Sequence, residues 1–261
     1  MSMEKIHVLK DRPFTYCPGC DHGILAKLIA KAIQELGIWD RAVMVGSVGC
    51  STLVYYTLDV DYLQAPHGRA PAVMTAIKRL RPDLVTFSIQ GDGDALAIGL
   101  SELVYAAQRG EPITVFLYNN MIYGMTGGQM APTTLPGMPT TTSPYGRDVK
   151  TAGPPMDACK LLSSLPGPSY IRRVVIAPRP IETPKGIMYS VKNVLEAYEA
   201  IKQAFKVQIM GGFSFVEFLG SCYINWKMNL YEAKKVVWEK SAVRYKPGIY
   251  VDEFKVSDNG G

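Results

Sequence analysis

A chain of 261 residues, 48% hydrophobic and 20% charged, can bury one large core or two small ones, which sets it apart from disordered sequences. Its net charge of +5 comes from scattered basic residues such as Lys78, Arg79, Arg81, Arg172 and Arg173. No basic stripe with interleaved aromatics emerges, which argues against a nucleic-acid partner, whereas an acidic electron carrier would suit the charge. No apolar run approaches the roughly 18–20 residues of a membrane span. The opening MSMEKIHVLKDRPF carries no apolar leader or acylation motif, so a soluble, cytoplasmic chain with no membrane partner is expected.

In chain order, the first predicted element is an amphipathic helix over Asp21–Leu36, with Ile24, Leu25, Leu28, Ile29, Ala32, Ile33 and Leu36 at helical spacing. Gly37 stands where a helix C-terminus favours glycine. Short apolar runs at Ala42–Val45, Leu84–Ile89, Ile113–Tyr118, Tyr170–Ile176 and Phe213–Leu219 read as strands. Helical patterns at Pro71–Leu80, Ala95–Gln108, Met188–Val207 and Leu230–Lys240 lie between or after them. This alternation predicts the α/β class, with a mostly parallel sheet flanked by helices. The Pro-, Thr- and Gly-rich stretch Gln129–Asp148 breaks the rhythm and reads as a long loop, functional or disordered. No internal repeat or domain boundary is evident. A single domain over 1–261 is expected, with a C-terminal extension from about residue 227.

Two motifs carry chemistry. Gly91-Asp92-Gly93-Asp94 ends the Leu84–Ile89 run, and Asn119-Asn120 ends the Ile113–Tyr118 run. Open parallel sheets bind ligands at the carboxyl ends of their strands, where both motifs would fall. The glycines admit a close phosphate, and a helix starting near Asp94 would turn its amides towards it. Asp92 and Asn120 offer hard oxygen ligands suited to Mg²⁺. Alone, Gly-Asp-Gly is also an ordinary turn; its pairing with Asn-Asn after a helix and a strand is what points to a diphosphate.

The five cysteines are Cys17, Cys20, Cys50, Cys159 and Cys222, an odd number that speaks against a disulfide framework. The Cys17-Pro-Gly-Cys20 pair suits zinc, an iron–sulfur cluster or a redox dithiol, and the last is weakened because no strand precedes it. Four thiolates on neighbouring loops would hold zinc or a [4Fe–4S] cluster equally well. Cys159 falls in the helical pattern Met156–Leu165 and reads as a buried small apolar residue. His22 reads as a helix N-terminal residue with no catalytic role, and Met121, Met125, Met130 and Met138 read as packing under a loop.

With GDG followed by NN and then Ile122-Tyr123-Gly124-Met125-Thr126-Gly127-Gly128-Gln129, the sequence resembles the thiamine-diphosphate-binding β subunits of 2-oxoacid:ferredoxin oxidoreductases. Tyr16-Cys17-Pro-Gly-Cys20-Asp21-His22-Gly23, Val48-Gly49-Cys50-Ser51 and the late Cys222 before Asn225-Trp226 extend the likeness from Tyr16 to about Trp226. That family commonly has Gly where Asp21 stands and Pro-Thr where Tyr223-Ile224 stand. The resemblance implies a thiamine-diphosphate-binding fold of the diphosphate-binding type. It implies Mg²⁺ on Asp92, Asn120 and the Ile122 carbonyl, with Gly93, Asp94, Gly124 and Met125 touching the diphosphate. Val48, Gly49, Cys50 and Ser51 would form a loop against the cofactor. His67, in His67-Gly68-Arg69, would be an active-site polar contact, although the triplet also reads as a surface turn.

The same resemblance implies a [4Fe–4S] cluster on Cys17, Cys20, Cys50 and Cys222. The implied reaction is coenzyme-A-dependent oxidative decarboxylation of a branched-chain 2-oxoacid or 2-oxoglutarate to acyl-CoA and CO₂, with electrons passed to ferredoxin. No glutamate stands in a context suited to the thiamine pyrimidine. By resemblance it comes from an α subunit, alongside γ and ferredoxin-like δ subunits in a hetero-oligomer. The alternatives are a non-oxidative thiamine-diphosphate decarboxylase or synthase, which would leave four cysteines idle, and a zinc-binding scaffold, which would leave GDG and NN idle.

Overall fold

The computed structural model of the chain describes residues 6–254. The first five residues of the opening segment and 255–261 of the expected C-terminal extension lie outside the described residues.

Helix α1 (His22–Glu35) leads into β1 (Ala42–Gly46) and β2 (Asp61–Gln64), then α2 (Ala70–Leu80) and β3 (Val85–Gly91). A π-helical turn (Asp94–Ile98) precedes α3 (Leu100–Gln108), β4 (Thr114–Asn119) and the short pair β5 (Ile122–Tyr123) and β6 (Gln129–Met130). Next come α4 (Val149–Ala152), α5 (Ala158–Ser163), β7 (Pro168–Val175) and the hairpin β8 (Arg179–Thr183) to β9 (Gly186–Ser190). The chain then runs through α6 (Lys192–Ile209), β10 (Phe213–Leu219), α7 (Leu230–Val236), a second π turn (Val237–Ser241), α8 (Ala242–Arg244) and β11 (Gly248–Asp252).

Seven strands form one sheet in the order β11-β7-β10-β4-β3-β1-β2. All pairings are parallel except that of β11 with β7. Every residue of β4 and β10 is buried, as expected of central parallel strands covered on both faces. Their side chains alternate between two layers. Phe116 and Phe218 pack with Phe87 under α1 and α6, while Val115, Leu117 and Phe215 pack under α2, α3 and α5. From β1 the chain steps one way to β2 and returns on the other side to β3. The switch point therefore lies between β1 and β3, where open α/β sheets place their ligands.

The mostly parallel α/β architecture read from the sequence is the one observed. The helix expected over Met188–Val207 is corrected: Gly186–Ser190 pairs with Arg179–Thr183 as an antiparallel hairpin, and the helix begins only at Lys192. Met188 and Tyr189 stand on the exposed hairpin, so their apolar character reflects no helix face buried in the core. Two predicted helices each contain a π turn, at 94–98 and 237–241. The edge strands β2 and β11 escaped the sequence reading because they are only four and five residues long and no residue of either is fully buried. The Gln129–Asp148 stretch is a loop with buried content. Arg147 donates to the carbonyls of Ala131, Pro132, Thr134, Ala152, Gly153 and Pro154 and pins the loop onto the domain. Among the described residues, no helix is long and apolar enough to cross a membrane.

Candidate active site at the carboxyl ends of four adjacent strands

One pocket opens over β1, β3 and β4, and its wall contains every residue predicted to hold magnesium or touch the cofactor. It takes Val48, Gly49, Cys50 and Ser51 from the β1 loop and His67 from the β2 loop. Asp92, Gly93 and Asp94 follow β3, and Asn120, Ile122, Gly124 and Met125 follow β4.

The floor is a buried carboxylate. Asp92 is 2% exposed. Its carboxylate accepts hydrogen bonds from the Gly93 amide at 2.9 Å and from the Thr133 hydroxyl. Among the described residues its partners include no cation, and burial pushes its pKa up to about 7. A buried carboxylate without a positive partner is what a metal ion would neutralise. Thr133 comes from the long irregular loop, and Tyr245 holds it by donating to its carbonyl at 2.6 Å. Neither residue was found from the sequence, since no local pattern links them to Asp92.

Asn120 is presented by a turn built from its neighbour. Asn119 is fully buried; its Nδ2 donates to Glu217 at 2.7 Å, and its Oδ1 accepts the Met121 amide at 3.1 Å. Met121 adopts a left-handed φ of 58°, uncommon outside glycine, and its side chain is sealed in the core. Beneath this turn, Arg173 donates to Glu217 at 2.7 Å, and the Cys159 thiol donates to the same carboxylate at 3.2 Å. Cys159 thus lies inside the domain, under the sheet end, as its helical context predicted. Its sulfur serves a polar network as well as apolar packing.

Asp94 proves to be a knot between loops. Its side chain, 1% exposed, accepts the amides of Gly68 at 2.9 Å and Val48 at 3.3 Å and the Gln90 side chain at 2.5 Å. His67 Nδ1 stands 2.5 Å from the same carboxylate, an ion-pair approach without hydrogen-bond directionality. The carboxylate therefore fixes the loops after β1 and β2, and contact with a diphosphate would fall to its backbone. Gly93 must lack a side chain because a Cβ there would fall inside the Tyr123 ring, whose hydroxyl donates to the Gly93 carbonyl at 3.2 Å.

The cysteines meet beside this floor. A Cβ built on Gly124 would stand 3.2 Å from the Cys50 sulfur and 3.7 Å from the Cys222 sulfur, so the two converge on one point of the pocket wall. Burial pushes the Cys20 thiol up to about 12, and repulsion from Cys222 and Cys50 adds to it. The Cys50 thiol is pushed up to about 11, again by burial first and then by Cys222 and Cys17. Cys222 is raised by burial, with a further contribution from Cys17. Cys50 and Cys222 thus each feel Cys17, and Cys20 feels both Cys50 and Cys222. Among the described residues, no three His, Cys, Asp or Glu side chains stand close enough to hold a single metal ion. A tetrahedral zinc–thiolate site, with Zn–S bonds of about 2.3 Å, needs its sulfurs packed more tightly than a multi-iron cluster does.

His22, read from the sequence as a helix N-terminal residue without a catalytic role, is part of the site's framework. It is buried, and its imidazole stacks on Tyr118 with ring centroids 3.6 Å apart. One ring nitrogen lies 3.4 Å from the Cys20 sulfur and the other 3.1 Å from the Ser51 hydroxyl. Burial drives its pKa down to about 3, so it is neutral. It bridges the first cysteine loop to the loop that flanks the pocket.

Comparison with known proteins accords with this geometry. The family described as thiamine pyrophosphate enzyme, C-terminal TPP binding domain, matches residues 47–218. The 2-oxoglutarate synthase subunit KorB of Archaeoglobus fulgidus is 33% identical over 249 residues, which cover 95% of this chain and 84% of that protein. The chain belongs to the 2-oxoacid:ferredoxin oxidoreductase family. The ketoisovalerate oxidoreductase subunit VorA of Methanothermobacter thermautotrophicus is 47% identical over 226 residues, 86% of this chain. The match covers 45% of that relative, so the chain spans about half the length of the VorA relatives it matches. In fold, the chain is similar to the 2-oxoglutarate:ferredoxin oxidoreductase from Magnetococcus marinus, with a TM-score of 0.73 and 24% identity. That likeness covers 97% of this chain and 86% of the other.

Proposed function

We propose that this chain is the cofactor-bearing half of the active site of a coenzyme-A-dependent 2-oxoacid:ferredoxin oxidoreductase. Asp92, Asn120 and the Ile122 carbonyl hold Mg²⁺, and the backbone around Gly93, Asp94, Gly124 and Met125 receives the diphosphate of thiamine diphosphate. Cys17, Cys20, Cys50 and Cys222 hold a [4Fe–4S] cluster. The observation that carries this reading is the approach of the Cys50 and Cys222 sulfurs to Gly124, on the wall of the pocket whose floor is Asp92. A metal–diphosphate floor and a thiolate set share one wall, as a carbon-centred reaction that must lose electrons singly requires.

When bound, thiamine diphosphate supplies the carbanion chemistry that decarboxylates a 2-oxoacid, and the cluster supplies a one-electron acceptor. The chain's own residues hold and exclude. Asp92 and Asn120 offer their oxygens from a turn fixed by Asn119 and Met121. Asp94 keeps the two flanking loops in register, and His67 presents its imidazole at the pocket mouth. The ketoisovalerate and 2-oxoglutarate in the relatives' names make branched-chain 2-oxoacids and 2-oxoglutarate the substrate classes to test.

The glutamate that acts on the thiamine pyrimidine is assigned to a partner α subunit, with γ and ferredoxin-like δ subunits completing the assembly. The purified chain alone is expected to show no ferredoxin reduction with any 2-oxoacid and coenzyme A. Activity should return when a pyrimidine-binding subunit is added. Turnover by the chain free of other subunits would overturn the division of the site between two chains.

A further inference from the structure

We propose that Asp21 and Lys234 form a buried clamp that ties the first cysteine loop to the Cys222 loop and sets their spacing for the cluster. This rests on the cluster reading above and adds to it a residue pair outside the ligand set.

The clamp is built from both ends. Asp21 follows Cys20, and its Oδ2 accepts from the Ser221 amide at 3.0 Å and the Ser221 hydroxyl at 3.0 Å, across a sequence separation of 200. Ser221 immediately precedes Cys222. Lys234 donates to Asp21 Oδ1, to the Ser221 hydroxyl at 2.9 Å and to the Gly19 carbonyl at 3.2 Å. The side chains of Asp21 and Lys234 are 0% and 6% exposed. One ammonium therefore touches both cysteine loops, at residues directly adjacent to Cys20 and Cys222.

Helix α7 delivers that ammonium. A capping box between Asn229 and Glu232 fixes where the helix starts. Leu230, one turn before Lys234 on the same face, packs onto Gly19, where a Cβ would stand 2.7 Å from the leucine Cδ1. Gly19 is left-handed at φ 80°, so the turn between Cys17 and Cys20 is held from above by Leu230 and at its carbonyl by Lys234.

A buried ion pair is a poor source of stability, because desolvation cancels much of the attraction and an apolar pair of similar volume often does as well. What it supplies is geometry. Charged hydrogen bonds to a backbone amide, a carbonyl and a hydroxyl fix distance and direction, which apolar contacts do not.

The test uses the full chain purified anaerobically, as wild type, Lys234→Met, Lys234→Arg and the double variant Asp21→Gly with Lys234→Met. Four quantities are read: iron and sulfide per chain, the electron paramagnetic resonance of the reduced protein, iron release to a ferrous chelator, and the melting midpoint. The double variant removes both charges and should melt close to wild type while releasing iron about tenfold faster or more, the usual range for disturbing an outer shell. Its resonance spectrum should also be altered, and Lys234→Arg should keep release slow. Wild-type release and spectrum in the double variant would overturn the clamp. Release that merely follows the melting midpoint across all variants would also overturn it, by reducing the pair to a stabilising one. A wild-type chain that holds no iron would instead remove the cluster reading on which the clamp rests.

Discussion

The two halves of the site are built by opposite strategies. The diphosphate floor stands on neighbouring strands: Asp92 follows β3 and Asn120 follows β4, which pair in parallel register from Phe87–Thr114 to Gly91–Tyr118. Ladder hydrogen bonds bring the two strand ends side by side, and the Asn119 and Thr133 contacts trim the turns that follow them. The cysteine rim comes from an N-terminal loop, the loop after β1 and the loop after β10, with side-chain contacts such as Asp21–Lys234 between them. A floor set mainly by backbone pairing should tolerate the loss of Cys222, whereas a rim fixed by side chains should be sensitive to its supports. The contrast suits the chemistry, because a diphosphate needs a rigid cradle and a cluster needs ligands from several directions.

The largest expected effect separates the halves outright. Asp92→Ala should weaken Mg–thiamine diphosphate binding on the order of 100-fold or more, the upper range for removing an element of a metal site, while iron content stays at the wild-type level. Since the wild-type carboxylate is buried without a cation, the cofactor-free variant should melt no lower than wild type. Cofactor retained through gel filtration, or iron lost with it, would break the comparison.

The converse comes next. Cys222→Ser should lose or degrade the cluster yet bind Mg–thiamine diphosphate as wild type does, whereas Cys159→Ser should keep its iron. A serine at 159 can still donate to Glu217, so its cost should stay within about 1–3 kcal/mol. Iron analysis and calorimetric cofactor titration on the two variants decide between them. An intact cluster in Cys222→Ser with loss in Cys159→Ser would reverse the ligand assignment.

Glu217→Gln probes the floor's foundation. It removes one of the two carboxylates paired with buried Arg173, leaving Asp157, at a cost of about 1–3 kcal/mol, and it loosens the Asn119 turn. Denaturant melts should show that loss, and cofactor affinity should fall without a change in iron per chain.

The smallest effect is a pH slope. Asp92 titrates near 7 in the fold against an ordinary 3.8, so between those values the folded cofactor-free chain binds the extra proton. Its stability should therefore fall as pH rises through that window, and Asp92→Asn should flatten that contribution. A variant whose pH profile matches wild type would show that Asp92 is not the group responsible.

What was legible in the sequence follows the same divide. The strand–GDG–helix–strand–NN order is local, and each of its parts leaves a periodic or turn signal, so the floor could be read directly. Cys50 and Cys222 could be named from their motifs and family likeness. Their meeting at Gly124, and the reach of Asp21 to Ser221 and Lys234, leave no trace in spacing. Thr133 and Arg147 lay inside a stretch readable only as loop, because its order comes from side chains bonding to distant carbonyls, and Tyr245 reaches Thr133 from just after α8. The Met188–Val207 helix failed for the opposite reason: apolar residues that face outward on a hairpin imitate a buried stripe.

The central claim, one chain carrying a metal–diphosphate floor and a cluster side by side, is tested most directly by a stoichiometry. The full chain, purified without oxygen and loaded with Mg²⁺ and thiamine diphosphate, should be brown. It should hold one thiamine diphosphate with about four irons and four sulfides per chain, as a [4Fe–4S] centre requires. A colourless chain that binds the cofactor but carries zinc, or no metal, at its cysteines would contradict it.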